Sequence, residues 1–282
     1  MEPDGATVDG DGVAHLRAPA KLTLALRVVG RRADGLHELE AEMVSVDLAD
    51  ELLVDPSGDA LEVVASPGSR AFGLSAGPDN LVRRALAATG RQAGIRLVKR
   101  IPVGGGLGGG SADAGAILRW AGCTDGHVAA ALGSDVPFCQ VGGRAEVSGV
   151  GEQVSPLPYE QRTFVLLLPP FSVDTAAVYR AFDHVVERRP ETIGDGPNHL
   201  AVPAELVEPR LARWRELFGE VTGREPLLAG SGSTFYVEGT PSDVGLDGRT
   251  SLVVGGQHAR VLAVRTVPAG WSGEQADSPV AS

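Results

Sequence analysis

A run of glycines in the middle of the chain is the segment best suited to bind an anion. Six of the seven residues from 104 to 110 are glycine, and Ser111 then opens an alanine-rich stretch with helical spacing. Glycine permits close backbone approach, and the free amides and dipole of a helix N-terminus attract phosphate oxygens. The pattern favours a polyphosphate site with Ser111 as cap or phosphate contact. The alternative is a flexible loop without a ligand.

This loop differs from the two common nucleotide-binding glycine motifs. Residues 104–109 formally match GxGxxG, but they lie beyond residue 100 and Pro102 separates them from the preceding strand. A dinucleotide-binding fingerprint instead belongs at the first βα turn of a parallel unit. A Walker A loop requires a lysine before its serine, whereas Ser111 follows Gly110 directly. These differences from the dinucleotide-binding motif argue against a Rossmann oxidoreductase.

One lysine and one aspartate outside the loop are suited to phosphoryl transfer. Only Lys21 and Lys99 are lysines among the 25 basic residues, and Lys21 lies within an alternating apolar strand. An unpaired ammonium group is costly there, so a carboxylate partner is expected. Asp135, in the loop sequence GSDVPF, is the predicted partner and a candidate base for a substrate hydroxyl. An Asx turn or helix cap is its alternative role. No role is assigned to Lys99.

The elements that must position these residues alternate between strand and helix in both halves of the chain. This alternation predicts an α+β protein of two domains, 14–155 and 156–268, with tails at 1–13 and 269–282. Periodicity and turn residues predict strands over 14–30, 37–54, 61–65, 95–101, 164–168, 227–229, 234–237, 252–254 and 261–264, helices over 79–92, 112–118, 125–132, 175–186 and 206–221, and a hairpin over 138–148.

Composition excludes several functional classes. The 282 residues are 43% hydrophobic and 22% charged, which suits a globular protein, and the net charge of -11 argues against nucleic-acid binding. No apolar run approaches the length of a membrane span, so no membrane association is expected. Cys123 and Cys139 are too few for a disulfide framework and suggest a reducing compartment. A cytoplasmic protein is therefore predicted.

The sequence PVGGGLGGGSADA, taken with six other stretches, resembles the GHMP small-molecule kinases. These stretches are APAKLTLAL, RRADGLHELE, PDNL, GSDVPF, GVGE and AGSGST; they follow the family's order and cover most of residues 15 to 240. The glycine loop marks the superfamily, and the AKLxL and RxDGxH patterns are similar to its diphosphocytidyl branch. The resemblance implies two domains, an N-terminal one like ribosomal protein S5 domain 2 and a C-terminal ferredoxin-like one, with the active site in the cleft between them.

The resemblance also implies an activity and a set of site residues. It implies ATP-dependent phosphorylation of the 2-hydroxyl of a cytidine diphosphate-linked methylerythritol, with Mg²⁺, in a monomer or weak homodimer. Lys21 and Asp135 match the catalytic pair, and Ser111 is a candidate metal contact. The substrate contacts would be Thr23, His37, Thr175 and Tyr179. The ATP contacts would be Asn80, Pro102, Val103, Gly104, Gly105, Gly106, Leu107, Gly108, Gly109, Gly110, Ser111 and Ala112.

Some of these positions have structural alternatives or depart from the family pattern. Asn80 equally suits a helix cap, and His37 a solvated strand start. Tyr179 suits a core position on a helix. Thr23 stands where the family commonly has asparagine, Leu36 where an aromatic residue usually stacks on cytosine, and Ala112 replaces a serine. A kinase for another small alcohol, or a nucleotide-binding regulatory protein without turnover, therefore remains an alternative.

Overall fold

In a computed structural model that describes residues 6–10, 12–71 and 73–273, helices pack on two β-sheets. The strands are β1 Ala6–Val8, β2 Ala14–Arg31, β3 His37–Asp55, β4 Leu61–Ala65, β5 Gly94–Lys99, β6 Arg144–Gly149, β7 Gln153–Leu157, β8 Thr163–Leu168, β9 Leu227–Leu228, β10 Phe235–Glu238, β11 Ser251–Val254 and β12 Gln257–Arg265. The helices are α1 Leu81–Ala88, α2 Gly109–Trp120, α3 Gly126–Leu132, α4 Val136–Val141, α5 Thr175–Arg188, α6 Ala201–Val207 and α7 Arg210–Thr222.

The first sheet is organised around two long antiparallel strands. β2 and β3 pair along nearly their whole lengths, and register shifts interrupt the ladder at Pro19/Ala20, Thr23/Ala25 and Val28/Gly30. Such irregularities bend a strand and increase its twist. β5 and β6 pair with opposite ends of β3, β4 runs parallel to β5, and β7 pairs with β6. Lys21 thus lies in the middle of a bent strand, between two of its irregularities.

Helix α2 is the buried helix of this half. Every residue from Ala112 to Leu118 is buried, because small side chains let the helix approach its neighbours closely. It packs on α1, α4 and β2. A Cβ atom on Gly115 would lie 2.7 Å from the carbonyl carbon and oxygen of Cys139 in α4. This contact sets the distance between the helix that follows the glycine loop and the helix that follows Asp135.

The second sheet is antiparallel throughout, in the order β11-β12-β8-β10-β9. β8 is central and buried along its last five residues. Helices α5 to α7 belong to the same half of the chain, and Trp214 and Phe218 of α7 are fully buried with Phe164 and Phe235 of the sheet. These large side chains form the core of the second half.

Backbone and side-chain contacts join the two sheets close to Lys21. Leu26 of β2 pairs with the segment at Asn198, and the hydroxyl of Tyr236 in β10 donates to the carbonyls of Thr23 and Leu24 at 3.2 Å each. Val46 of β3 forms a second bridge with residue 266. The centre of β2 is therefore fixed from both halves of the molecule.

Two of the predicted elements are wrong. The predicted hairpin over 138–148 is helix α4 followed by strand β6, because Pro137 suits the first turn of a helix and Phe138 turns into the core. Gly142, at φ 71°, follows the last helical residue. The predicted helix over 206–221 is two helices, α6 and α7, divided at Glu208 and Pro209. The other elements agree with the prediction to within a few residues.

The chain ends differ in part from the predicted tails. Residues 6–8 of the predicted N-terminal tail pair with β2 as strand β1, which corrects the prediction there. Of the other residues in the two predicted tails, 1–5, 11 and 274–282 lie outside the described residues. The first sheet draws its strands from 6–157 and the second from 163–265, while the predicted boundary at 155/156 stays a prediction. No helix within the described residues is long and apolar enough to cross a bilayer.

Replacing Gly115 with alanine should destabilise the protein by about 1–3 kcal/mol, because the new methyl group would overlap the α4 backbone. Gly110→Ala is the matched control on the same helix, since its Cβ would meet only Leu81 Cδ1, at 3.4 Å. Denaturant unfolding of both variants measures the difference. Equal stability of the two variants would contradict the close packing of α2 on α4.

Candidate active site

A cavity of about 520 Å³ contains the residues with the strongest chemical signal. Its walls come from both halves of the chain, since Lys21, Asp135 and the glycine loop face Thr175, Tyr179 and Ser231 across it. The sequence predicted these groups from separate stretches. The structure brings them together in one cleft.

The glycine loop forms one wall of the cavity and leads into α2. Gly106 and Gly108 have φ values of 78° and 68°, which side chains rarely adopt. A Cβ on Gly106 would also lie 2.3 Å from the carbonyl oxygen of Ala229. The amides of the first helical turn have no acceptor within the helix by its geometry, whereas Ala112 N already donates to Gly108 O at 2.8 Å. The amides that the helix leaves free therefore end at Ser111, and the Ala112 amide is engaged within the helix.

Lys21 and Asp135 form the predicted ion pair. Lys21 Nζ lies 3.5 Å from Asp135 Oδ2 and donates to Thr23 Oγ1 at 3.0 Å. The lysine side chain is 6% exposed and that of Asp135 is 33% exposed, so the carboxylate faces the open side. Asp135 precedes α4, yet its side chain makes no capping hydrogen bond. Its carboxylate is thus directed to the lysine and the cavity rather than to the helix.

Gly108 and Gly230 lie close to the Lys21 side chain, and the lack of a Cβ atom at both positions leaves room for it. A Cβ on Gly108 would lie 2.8 Å from Lys21 Cγ, and one on Gly230 would lie 3.3 Å from Nζ. The segment at Gly230 is held by Asn198, whose amide donates to the carbonyls of Leu228 and Gly230 at 2.9 and 2.7 Å. The sequence reasoning did not identify Asn198. The AGSGST stretch therefore packs against both the glycine loop and the lysine.

The second lysine also has a role that the sequence reasoning did not find. Lys99 is buried at the end of β5 and donates to Asp50, and to Asp113 Oδ2 at 2.6 Å. Asp50 Oδ1 also accepts from the backbone amides of Arg100 and Ile101. A lysine in an apolar strand and an aspartate on the buried face of an alanine-rich helix were the available signals. The cluster ties α2 to β3 and β5, below the glycine loop.

Charge balance in this cluster favours a proton on Asp113. Burial raises the pKa of Asp113 to about 8, and Asp50 adds to the effect although Lys99 opposes it. Burial lowers the pKa of Lys99, but the two carboxylates outweigh it and leave that pKa raised. One buried cation neutralises one carboxylate, and Asp50 has the two additional amide donors. At neutral pH the cluster therefore contains an ammonium group and a protonated Asp113.

Two further predicted contacts line the same cavity. Asn80 Oδ1 accepts from Val82 N at 2.9 Å and thereby caps α1, and its amide donates to Ser75 O at 2.8 Å. The capping role is thus present, and adenine contact stays a prediction. Thr175 begins α5 and its hydroxyl lies 2.8 Å from that of Ser231. Thr23, in contrast, is 2% exposed and contacts Lys21.

Tyr179 lines the cavity, and His37, which is not part of its lining, lies against the Tyr179 ring. Their rings stack with centroids 4.8 Å apart, and His37 Nε2 lies 2.6 Å from Asp183 Oδ1. Burial, with the charge of Asp135 as second cause, raises the pKa of Tyr179 to about 12, so its hydroxyl stays protonated. Leu36 is 52% exposed. The two residues predicted to contact the substrate are thus neighbours, and their contact with a substrate stays a prediction.

The protein oxygen atoms near the glycine loop suit a hard cation only when a bound ligand supplies further oxygen atoms. No group of three or more histidine, cysteine, aspartate or glutamate side chains arranged for a metal occurs among the described residues. Ser111, Ser134 and Asp135 do line the cavity. Mg²⁺ is commonly held by one or two protein oxygens together with phosphate oxygens and water, and this donor set fits that pattern.

Sequence comparison finds relatives that cover most of the chain. Residues 80–143 match the family model described as GHMP kinases N terminal domain. A 4-diphosphocytidyl-2-C-methyl-D-erythritol kinase of Paracoccus denitrificans is 38% identical over 78% of this chain and 84% of its own length. The kinase of the same name from Thermus thermophilus is 35% identical over 91% of this chain and 94% of its own.

Structural comparison gives the same result. The crystal structure of a 4-(cytidine 5'-diphospho)-2C-methyl-D-erythritol kinase superposes with a TM-score of 0.66 at 32% identity. The superposition covers 89% of this chain and 98% of that one. The fold of this chain therefore has a counterpart in a solved structure.

The Lys99 cluster should give the stability of the protein a distinctive pH dependence. Because the pKa of Asp113 rises from 3.8 to about 8 on folding, the folded state holds an extra proton between these pH values. This contribution to stability is greatest below pH 3.8 and is lost as pH rises to about 8, by at most about 1.4 kcal/mol per pH unit. Asp113→Asn should remove that loss.

Denaturant unfolding from pH 5 to 8 measures this difference. The free energy of unfolding of Asp113→Asn should increase relative to the wild type as pH rises. Asp125→Asn is the matched control, since Asp125 caps α3 at an exposed position, and its curve should stay parallel to the wild type. Parallel curves for Asp113→Asn would contradict a proton on Asp113.

Proposed function

The chain belongs to the 4-diphosphocytidyl-2-C-methyl-D-erythritol kinases of the GHMP superfamily, and from this premise we propose the phosphoryl transfer by which it acts. The enzyme is a small-molecule kinase of the non-mevalonate route to isoprenoid precursors. We propose that it moves the γ-phosphoryl group of ATP to the 2-hydroxyl of the diphosphocytidyl alcohol. The single observation that supports this chemistry is the Lys21–Asp135 pair facing the glycine loop.

ATP would lie with its phosphates against the glycine loop. The amides of the first turn of α2 have no partner in the helix, and the dipole of this 12-residue helix favours negative charge at that end. Because amides rather than basic side chains supply this attraction, an acidic chain can still hold a polyphosphate. Asn80 and Ser75 line the cavity beside the loop, where the adenine end of ATP would extend.

Asp135 would accept the proton of the attacking hydroxyl. Its carboxylate is one-third exposed on the cavity side, so a hydroxyl group can approach it while its other side faces Lys21. Phosphoryl transfer requires little covalent chemistry from a protein beyond positioning and charge stabilisation. A carboxylate that orients the hydroxyl and takes its proton is enough for the acceptor side of the reaction.

Lys21 would hold the Asp135 carboxylate in place and stabilise the charge that develops on the transferred group. Its ammonium group lies between Asp135 at 3.5 Å and Thr23 at 3.0 Å, in a space that Gly108 and Gly230 leave open. Because the ammonium is buried, its charge is weakly screened and acts strongly on a nearby phosphoryl group.

Mg²⁺ would be held by Ser111 and Asp135 with phosphate oxygens and water completing its shell. When bound, the ion offsets charge on the triphosphate. Ser111 stands in the first turn of α2, where its hydroxyl borders the cavity. The protein's own part is to place these oxygens at the phosphate end and to keep the carboxylate near the acceptor hydroxyl.

A substrate panel tests the proposed function directly. The purified chain is given ATP, Mg²⁺ and, separately, the diphosphocytidyl alcohol, mevalonate, homoserine or galactose. ADP release is expected with the first alcohol, and ³¹P and ¹³C NMR of the product should place a new phosphomonoester on its 2-hydroxyl. ATP alone is the control for background hydrolysis. ADP release with another alcohol and none with the diphosphocytidyl compound would overturn the assignment.

A further inference from the structure

A second cavity of about 630 Å³ lies next to the active site, beyond the ring of His37. Its lining includes Arg27, Arg31, His37, Phe182, Asp183 and His199. Tyr179 lines the first cavity and stacks on His37, which lines the second, so this ring pair separates the two cavities. A long ligand with one end at Asp135 would pass Tyr179 to reach the second cavity.

The proposed substrate has the length and chemistry to occupy both cavities. Its name specifies an alcohol joined through a diphosphate to cytidine, so the reacting hydroxyl and the base are at opposite ends. The inference therefore rests on the proposed function. The lining of the second cavity is of mixed charge, with Arg27 and Arg31 together with the carboxylates of Asp183, Glu187 and Asp195. Exposed apolar side chains of Val29 and Val186 border the same space.

The imidazole ring of His37 is held on three sides. Tyr179 stacks on it at 4.8 Å, Phe182 meets it edge-on at 6.0 Å, and Asp183 Oδ1 lies 2.6 Å from Nε2. Asp183 Oδ2 in turn lies 3.4 Å from Arg31 Nη1. The His37 side chain is only 11% exposed. The orientation of this ring is therefore set before any ligand arrives.

The contact with Asp183 also decides which ring nitrogen can accept a hydrogen bond. An ionised carboxylate only accepts, so His37 Nε2 must carry the proton and donate to Asp183. In neutral imidazole the other nitrogen, Nδ1, then has the free lone pair. No hydrogen bond to Nδ1 is made within the described part of the chain. A fixed acceptor of this kind distinguishes a donor group on a base from a carbonyl.

We propose that Asp183 is a positioning residue that fixes His37 as an acceptor, through Nδ1, for the exocyclic amino group of an aminopyrimidine. Cytosine presents an amino group where uracil presents a carbonyl oxygen, and two acceptors facing each other leave a buried lone pair unpaired. Asp183 acts through His37 and makes no contact with the reacting atoms. The cytidine compound is thereby favoured over its uridine counterpart.

The test compares substrates that differ only in the base. Values of kcat and KM are measured separately for the diphosphocytidyl alcohol and its uridine diphosphate counterpart with the wild type and Asp183→Ala. The variant should raise KM for the cytidine compound with little change in kcat. Its preference for cytidine over uridine should fall about tenfold, as for the loss of one hydrogen bond that discriminates between the bases.

Two further variants separate positioning from a general structural effect. Asp183→Asn should restore part of the preference, because its amide oxygen can still accept from Nε2–H. Glu220→Gln is the matched control, since it removes an exposed carboxylate from α7, outside the lining of the second cavity. It should leave the preference unchanged. Equal loss of activity toward both substrates in Asp183→Ala, or an unchanged preference, would overturn the proposal.

A binding measurement distinguishes this proposal from the proposed function. Calorimetry with the full chain compares CDP and UDP for the wild type and Asp183→Ala. If the wild type turns over neither alcohol, the proposed function fails. A preference for CDP that falls about tenfold in the variant would still support the role of Asp183. Equal CDP preference in both proteins would overturn that role whatever the kinetics.

Discussion

The structure depends on the buried ammonium group of Lys21 in the wall of the proposed active site. Lys21 lies on β2 of the first sheet with its side chain buried. An unpaired charge at such a position would destabilise the folded protein. Asp135 and Thr23 supply its partners, and both halves of the chain meet at its strand. A buried pair of this kind is weak as a source of stability, and in the proposed mechanism it provides an electric field to a ligand.

The glycines follow from the same constraint. The loop must present amides to an anion while it passes over the lysine, and Gly108 and Gly230 approach the side chain too closely for any Cβ to fit without displacement. Below the loop, Lys99 binds Asp50 and Asp113 and so joins α2 to the first sheet. Asn198 holds the opposing loop from the second half. Anion site, cation and base are thus positioned by separate supports that converge on one cavity.

The sequence predicted the parts of the site that carry a local signal. A lysine in an apolar strand requires a partner, and dense glycines before a helix indicate an anion site, so Lys21 and the loop were recognisable. Asp50, Asn198 and Asp183 were not, because each acts on a residue far away in the chain. Alternation identified most strands, but apolar residues at 138–139 suit a short helix as well as a strand, which explains the error there.

The kinetic behaviour of Lys21→Arg tests the central claim most directly, because this variant keeps the charge and changes only its shape. A guanidinium group is broader than an ammonium group and fits less readily beside Asp135, where Gly108 and Gly230 lie close to the side chain of residue 21. Single-turnover phosphoryl transfer should slow by about a hundredfold or more, while ATP binding and the thermal unfolding midpoint stay close to wild type. Transfer at nearly the wild-type rate would contradict the account.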